Sequence, residues 1–79
     1  MEWKEIKNKI ENALKNDRII GSDYSSEYFN VANCNVSIND LVCFRNVYCI
    51  HEINGTLWIN NNSIDVKDVE TFRIWSKWC

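Results

Sequence analysis

The apolar residues of this chain change period once, and that change limits the fold more than any other feature. Over residues 2–17, Trp3, Ile6, Ile10, Ala13 and Leu14 recur at helical spacing with no Gly or Pro among them, which predicts an amphipathic helix. Glu5 with Lys9, and Glu11 with Lys15, are spaced to pair on its polar surface. Gly21 and Ser22 mark a turn after Arg18-Ile19-Ile20 leaves the helix. From about residue 27 the pattern is that of strands. Tyr28 to Ala32 is a short apolar run, and Val36 and Ile38 alternate with polar neighbours. Leu41 to Phe44 and Val47 to Ile53 are β-rich runs, with Arg45-Asn46 between them read as a tight turn. Asn54-Gly55 is the strongest hairpin signal, because both residues reach positive φ at little cost. Asn60 to Ser63 gives a further turn, and Ile64 and Val66 then alternate with Asp65 and Lys67. Asp68-Val69-Glu70 reads as one helical turn, and Phe72 to Trp75 as a last strand. The expected class is α+β. A single domain over residues 1–79 packs its N-terminal helix (about 2–17) on a β meander (about 27–79), forming a small antiparallel sheet or a bent barrel.

A chain of 79 residues suits one domain and buries about 60–65% of the surface its unfolded form exposes. Apolar residues make up 46% of it, and four Trp, three Tyr and three Phe supply bulky core material. The net charge of −2, from nine basic and eleven acidic residues, argues against a dedicated duplex DNA binder, which neutralises phosphates with clustered Lys and Arg. Residues 1–18 sum to +1 and the remainder to −3, so the expected partner surface is basic. The chain opens Met-Glu-Trp-Lys-Glu-Ile-Lys, and no run approaches the roughly 18 apolar residues of a membrane span. A cytoplasmic setting, no membrane contact, and reduced, mostly buried cysteines are therefore expected.

Three clusters could carry chemistry. Cys49-Ile50-His51, with Cys34 and Cys43 upstream, comes nearest to a metal site. The paired knuckles of a zinc module are missing, though Cys49 and His51 share one strand face and offer a two-ligand half-site. The expected reading is core thiols beside a partly buried His, with no metal and no cofactor. A Cys/His nucleophile would also need an orienting group and a substrate cleft, so no enzyme is expected. Asp65, Asp68 and Glu70 form an acidic patch without the ligand alternation and Gly of a calcium loop. They read either as a solvated turn or as a mimic of nucleic-acid phosphates facing a basic groove. In the C-terminal segment, Phe72, Ile74, Ser76 and Trp78 share one strand face, and Arg73, Trp75, Lys77 and Cys79 the other. Either Phe72, Ile74 and Trp78 fill the core with Trp75 under the helix, or the segment is an exposed aromatic-basic strip of the kind enriched at interfaces.

From Asp40 onward, the Asn39-Asp40-Leu41-Val42 start, the Asn54-Gly55 hairpin and the Ile64-to-Glu70 passage into a closing strand together resemble a small SH3-like barrel. That resemblance implies a binding module. The small size, acidity, aromatic richness and Asn-, Ile- and Lys-rich usage resemble small phage and mobile-element inhibitors, such as anti-CRISPR and other counter-defence proteins. The implied role is a non-enzymatic protein, monomeric or homodimeric, that blocks a host defence complex in the host cytoplasm. It would do so by occupying a basic nucleic-acid or effector groove. Asp65, Asp68 and Glu70 would supply charge, with Arg73, Trp75 and Trp78 as anchors. The alternative is a small nucleic-acid-binding or regulatory adaptor whose exposed Trp, Tyr and Arg stack single-stranded bases.

Overall fold

A computed structural model describes residues 1–16, 24–25 and 28–76. Helix α1 spans Trp3–Asn16, within a residue of each expected end. Six strands follow: β1 (Tyr24–Ser25), β2 (Tyr28–Ile38), β3 (Val42–Ile53), β4 (Thr56–Ile59), β5 (Asn62–Asp65) and β6 (Phe72–Ser76). A 3₁₀ turn, Val66–Asp68, lies between β5 and β6. The turn expected at Gly21-Ser22 falls outside the described residues.

Every ladder is antiparallel, in the order β1-β2-β3-β4-β5, with β6 also paired to β2. Strand β2 is the pivot. Its first residues hold β1, its last five hold β6, and its other edge carries β3. Among the described residues no ladder joins β5 to β6, so the sheet is open. The fold is therefore α+β, with one helix on an antiparallel sheet. No helix among the described residues is long and apolar enough to cross a membrane.

The helix buries Ile6, Ile10 and Ala13, one stripe at helical spacing, against Phe29, Ile50, Leu57 and Phe72 of the sheet core. Trp3 meets Phe29 edge-on at 6.3 Å between ring centroids, which fixes the start of the helix over β2. The N-terminal ammonium donates to the Val69 carbonyl at 2.5 Å.

Strand β2 keeps its apolar side inward by breaking step. Phe29 and Val31 are buried on odd positions, and Cys34, Val36 and Ile38 on even ones. The register against β3 shifts on both sides of Cys34, so an irregularity there returns the apolar residues to the core. This corrects the turn expected at Arg45-Asn46. Strand β3 runs unbroken through those residues, and Asn46, with φ +56, lies where the register shifts. The chain reverses instead at Asn39-Asp40-Leu41, where Asn39 and Asp40 take φ +57 and +55 and the Leu41 amide donates to Ile38 at 3.1 Å. The helical turn expected at Asp68-Val69-Glu70 forms two residues earlier. Val66 and Val69 are both buried, and a 3₁₀ turn of about three residues sets them on one side. The Asn54-Gly55 hairpin forms as read, with φ of +50 and +82 at its two central residues.

Candidate binding surface

The acidic residues sit on a backbone that is held at several points. Asp65 ends β5, Asp68 closes the 3₁₀ turn and Glu70 precedes β6, and all three are exposed. Asn39, in the turn between β2 and β3, grips this segment. Its Nδ2 donates to the Asp68 carbonyl at 2.9 Å, and its Oδ1 accepts from the amides of Glu70 and Thr71 at 2.6 and 3.0 Å. Its own amide donates to the Thr71 carbonyl at 2.9 Å. The Val66 amide donates to Gly55 at 2.9 Å, and the N-terminus holds Val69 from the helix side.

The three carboxylates make no ion pair among the described residues. The ion pair found there joins Arg73 to Asp40 at 2.6 Å, with side chains 66% and 54% exposed, an exposure at which such a pair contributes ~0–1 kcal/mol. Arg73, expected as a partner contact, remains largely exposed in this pair. Asp65 borders an open cavity of about 500 Å³ with Glu2, Glu52 and Lys67 beneath the start of α1. Asp68 and Glu70 flank Asn39 instead. Among the described residues no three His, Cys, Asp or Glu side chains form a group able to hold a metal ion.

Trp75 does not pack under the helix. Phe72 and Ile74 pair with Ile38 and Val36 on the core side, so the alternation of β6 turns Trp75, opposite Asn35, to the other face. There it is half-buried and lines a polar cleft of about 390 Å³ with Asn35, Cys43, Arg45 and Asn46. Trp78 lies outside the described residues.

The same outer face carries an aromatic row that the sequence reading missed. The register sets Tyr28, His51 and Trp58 side by side on β2, β3 and β4. Tyr28 stacks on His51 at 5.2 Å and 24°, and His51 on Trp58 at 6.1 Å and 7°. His51 Nδ1 lies 3.5 Å from Cys49 Sγ. Hydrogen bonding to the Cys49 thiol, then its charge, with lesser contributions from burial and Tyr48, raises the Tyr28 hydroxyl above the usual phenol range. Tyr28, Tyr48 and Ile53 are exposed large hydrophobic residues. Asn60 braces this stretch, because its Oδ1 accepts from the amides of Tyr48 and Cys49 at 3.0 and 3.3 Å. Half of the row was legible, since His51 falls opposite Trp58 on counting outward from Asn54-Gly55. Tyr28 was not, because its partner depends on the irregular β2–β3 register.

The thiols differ from one another. Cys34 is fully buried, donates to the Val47 carbonyl at 3.7 Å, and is pushed up to about 11 by desolvation. Cys49 is buried and Cys43 exposed, so the expectation of mostly buried cysteines holds for two of the three described thiols. Comparison with protein-family profiles, with curated proteins and with solved structures gives no match.

Proposed function

We propose that this chain is a non-enzymatic binding protein that acts by presenting the Asp65–Glu70 edge to a basic surface on a protein partner. The observation that carries this reading is the Asn39 clamp beneath carboxylates that form no ion pair among the described residues. Charges held on a fixed backbone lose little conformational freedom on docking, and complementary charge speeds encounter and selects the partner. Among the described residues these carboxylates form no ion pair that a partner would have to displace. Trp75 would add an apolar contact beside Arg45 on the adjoining face, with Trp78 as a further anchor.

The narrower version is a phage-type inhibitor, similar to anti-CRISPR proteins, that occupies a nucleic-acid or effector groove of a host defence complex. Its support is the size, acidity and aromatic content of the sequence. The finer fold reading, an SH3-like barrel, is supported by β2 pairing with both β3 and β6 and by the 3₁₀ turn ahead of the closing strand.

A second reading, a small nucleic-acid adaptor, is favoured by the stacked rings of Tyr28, His51 and Trp58, since bases stack on such platforms. Affinity capture from a bacterial lysate, with and without nuclease, separates the two. A defined protein complex that survives nuclease supports the first reading. Recovery that vanishes with nuclease, together with binding of a fluorescent single-stranded oligonucleotide at low salt, replaces it with the second.

A further inference from the structure

We infer that the cleft between Arg45 and Trp75 is a mononucleotide site, which takes the phosphate on Arg45 and stacks the base on Trp75. Strand pairing builds it. Val36 lies opposite Phe44 and Cys34 opposite Val47, so Arg45 and Asn46 of β3 together face the single residue Asn35 of β2. Such a bulge re-aims side chains, and bulges recur beside functional sites. The extra residue lets Phe44 and Val47 both reach the core and leaves Arg45 and Asn46 exposed. Along its other edge Asn35 pairs with Trp75. Three strands thus bring a guanidinium, two amides and a half-buried indole to one cleft of about 390 Å³, which Cys43 also lines. That volume falls within the roughly 300–1,000 Å³ of small-molecule pockets.

The bulge is held from the turn between β4 and β5. There the Asn60 amide donates to the Cys49 carbonyl at 2.8 Å and its Nδ2 to the Asn46 carbonyl at 3.4 Å, while its Oδ1 accepts from the amides of Tyr48 and Cys49. A lining fixed in advance loses little freedom when a ligand arrives. Its chemistry selects that ligand. The planar fork of donors on Arg fits the oxygens of a phosphate, and no carboxylate lines the cleft among the described residues to oppose an anion. An indole stacks a base, and an asparagine amide offers the donor and acceptor that meet the edge of adenine. A bare phosphate would leave the indole unused, and a nucleoside the guanidinium; a nucleotide engages both. The site shares no residue with the Asp65–Glu70 edge and stands apart from that reading.

The test titrates the isotope-labelled full chain with adenosine monophosphate and follows its NMR signals, with adenosine, inorganic phosphate and a single-stranded oligo-dA in parallel. The expected result is saturable shifts centred on Asn35, Arg45, Asn46 and the Trp75 indole N–H, with adenosine and phosphate each binding at least about tenfold more weakly. Arg45→Gln, at an exposed position, should weaken adenosine monophosphate about tenfold or more, and Trp75→Leu by about tenfold. Asp65→Lys should leave binding unchanged. If Trp75→Leu fails to fold by circular dichroism, Arg45→Gln and the wild-type shift map decide. Four results would each overturn the inference: no saturable shifts, shifts centred on Tyr28, His51 and Trp58 instead, full affinity in Arg45→Gln, or binding of the oligonucleotide without any of the mononucleotide.

Discussion

Asparagine does at several positions what glycine does in other small β proteins. The chain has two Gly, yet six described residues take positive φ, and four of them are Asn39, Asn46, Asn54 and Asn60. Asn tolerates the left-handed region better than other side chains and can spend its amide on nearby backbone. Asn39 shows the value of that second property, since its side chain makes three hydrogen bonds to the acidic segment. Replacing Asn39 with Ala should cost about 2–4 kcal/mol, from lost hydrogen bonds and a strained left-handed residue. Asn39→Gly should recover roughly 1 kcal/mol of that by relieving the backbone alone. Urea unfolding of both variants measures the difference, and equal stabilities would mean that φ is not what Asn39 is there to satisfy. Cys34 gives a pH prediction of defined sign. Its folded-state value is raised to about 11 from 9.0, so the folded chain holds this proton more tightly than the unfolded one. Its contribution is complete below pH 9 and is lost as pH rises toward 11, a decline of order 2 kcal/mol. Cys34→Ala should flatten that part of the stability curve relative to wild type.

At the scale of elements, local signals were legible and long-range ones were not. Helix α1 could be read because Ile6, Ile10 and Ala13 keep one period, and the β3–β4 hairpin because Asn54-Gly55 specifies its own turn. Strand β3 could not be read as continuous. Polar Arg45-Asn46 in its middle is explained only by the irregular pairing with β2, which no local pattern announces. The Asn39 clamp was hidden for the same reason, as it links residues 31 and 32 positions apart. Strand alternation sets Trp75 opposite Phe72 and Ile74 but leaves open which face meets the helix, and only the packing of Phe72 and Ile74 in the core decides between the two alternatives. The packing of α1 is directly testable. Ile10→Ala should cost ~2–5 kcal/mol, because a fully buried side chain is removed from the helix–sheet contact. Lys9→Ala, on the exposed side of the same turn, should change stability by less than about 0.5 kcal/mol. Comparable losses in thermal or urea unfolding would mean that the helix does not dock through the Ile6–Ile10–Ala13 stripe.

For the whole molecule, charge and rigidity are arranged on separate parts of one small body. The helix closes the core on one side of an open sheet, stacked rings lie on the other, and the acidic edge runs along the passage from β5 to β6. Association through that edge should weaken with salt, since exposed charges are screened over about 8–10 Å near physiological ionic strength. The most direct test compares wild type with the Asp65→Lys, Asp68→Lys, Glu70→Lys triple variant in affinity capture after nuclease, across a series of salt concentrations. Circular dichroism first establishes that the variant is folded. The expected result is a retained protein complex that wild type releases progressively as salt rises and that the triple variant does not hold at low salt. Equal retention by both proteins, with the same salt dependence, would contradict the proposal that the clamped acidic edge is the binding surface.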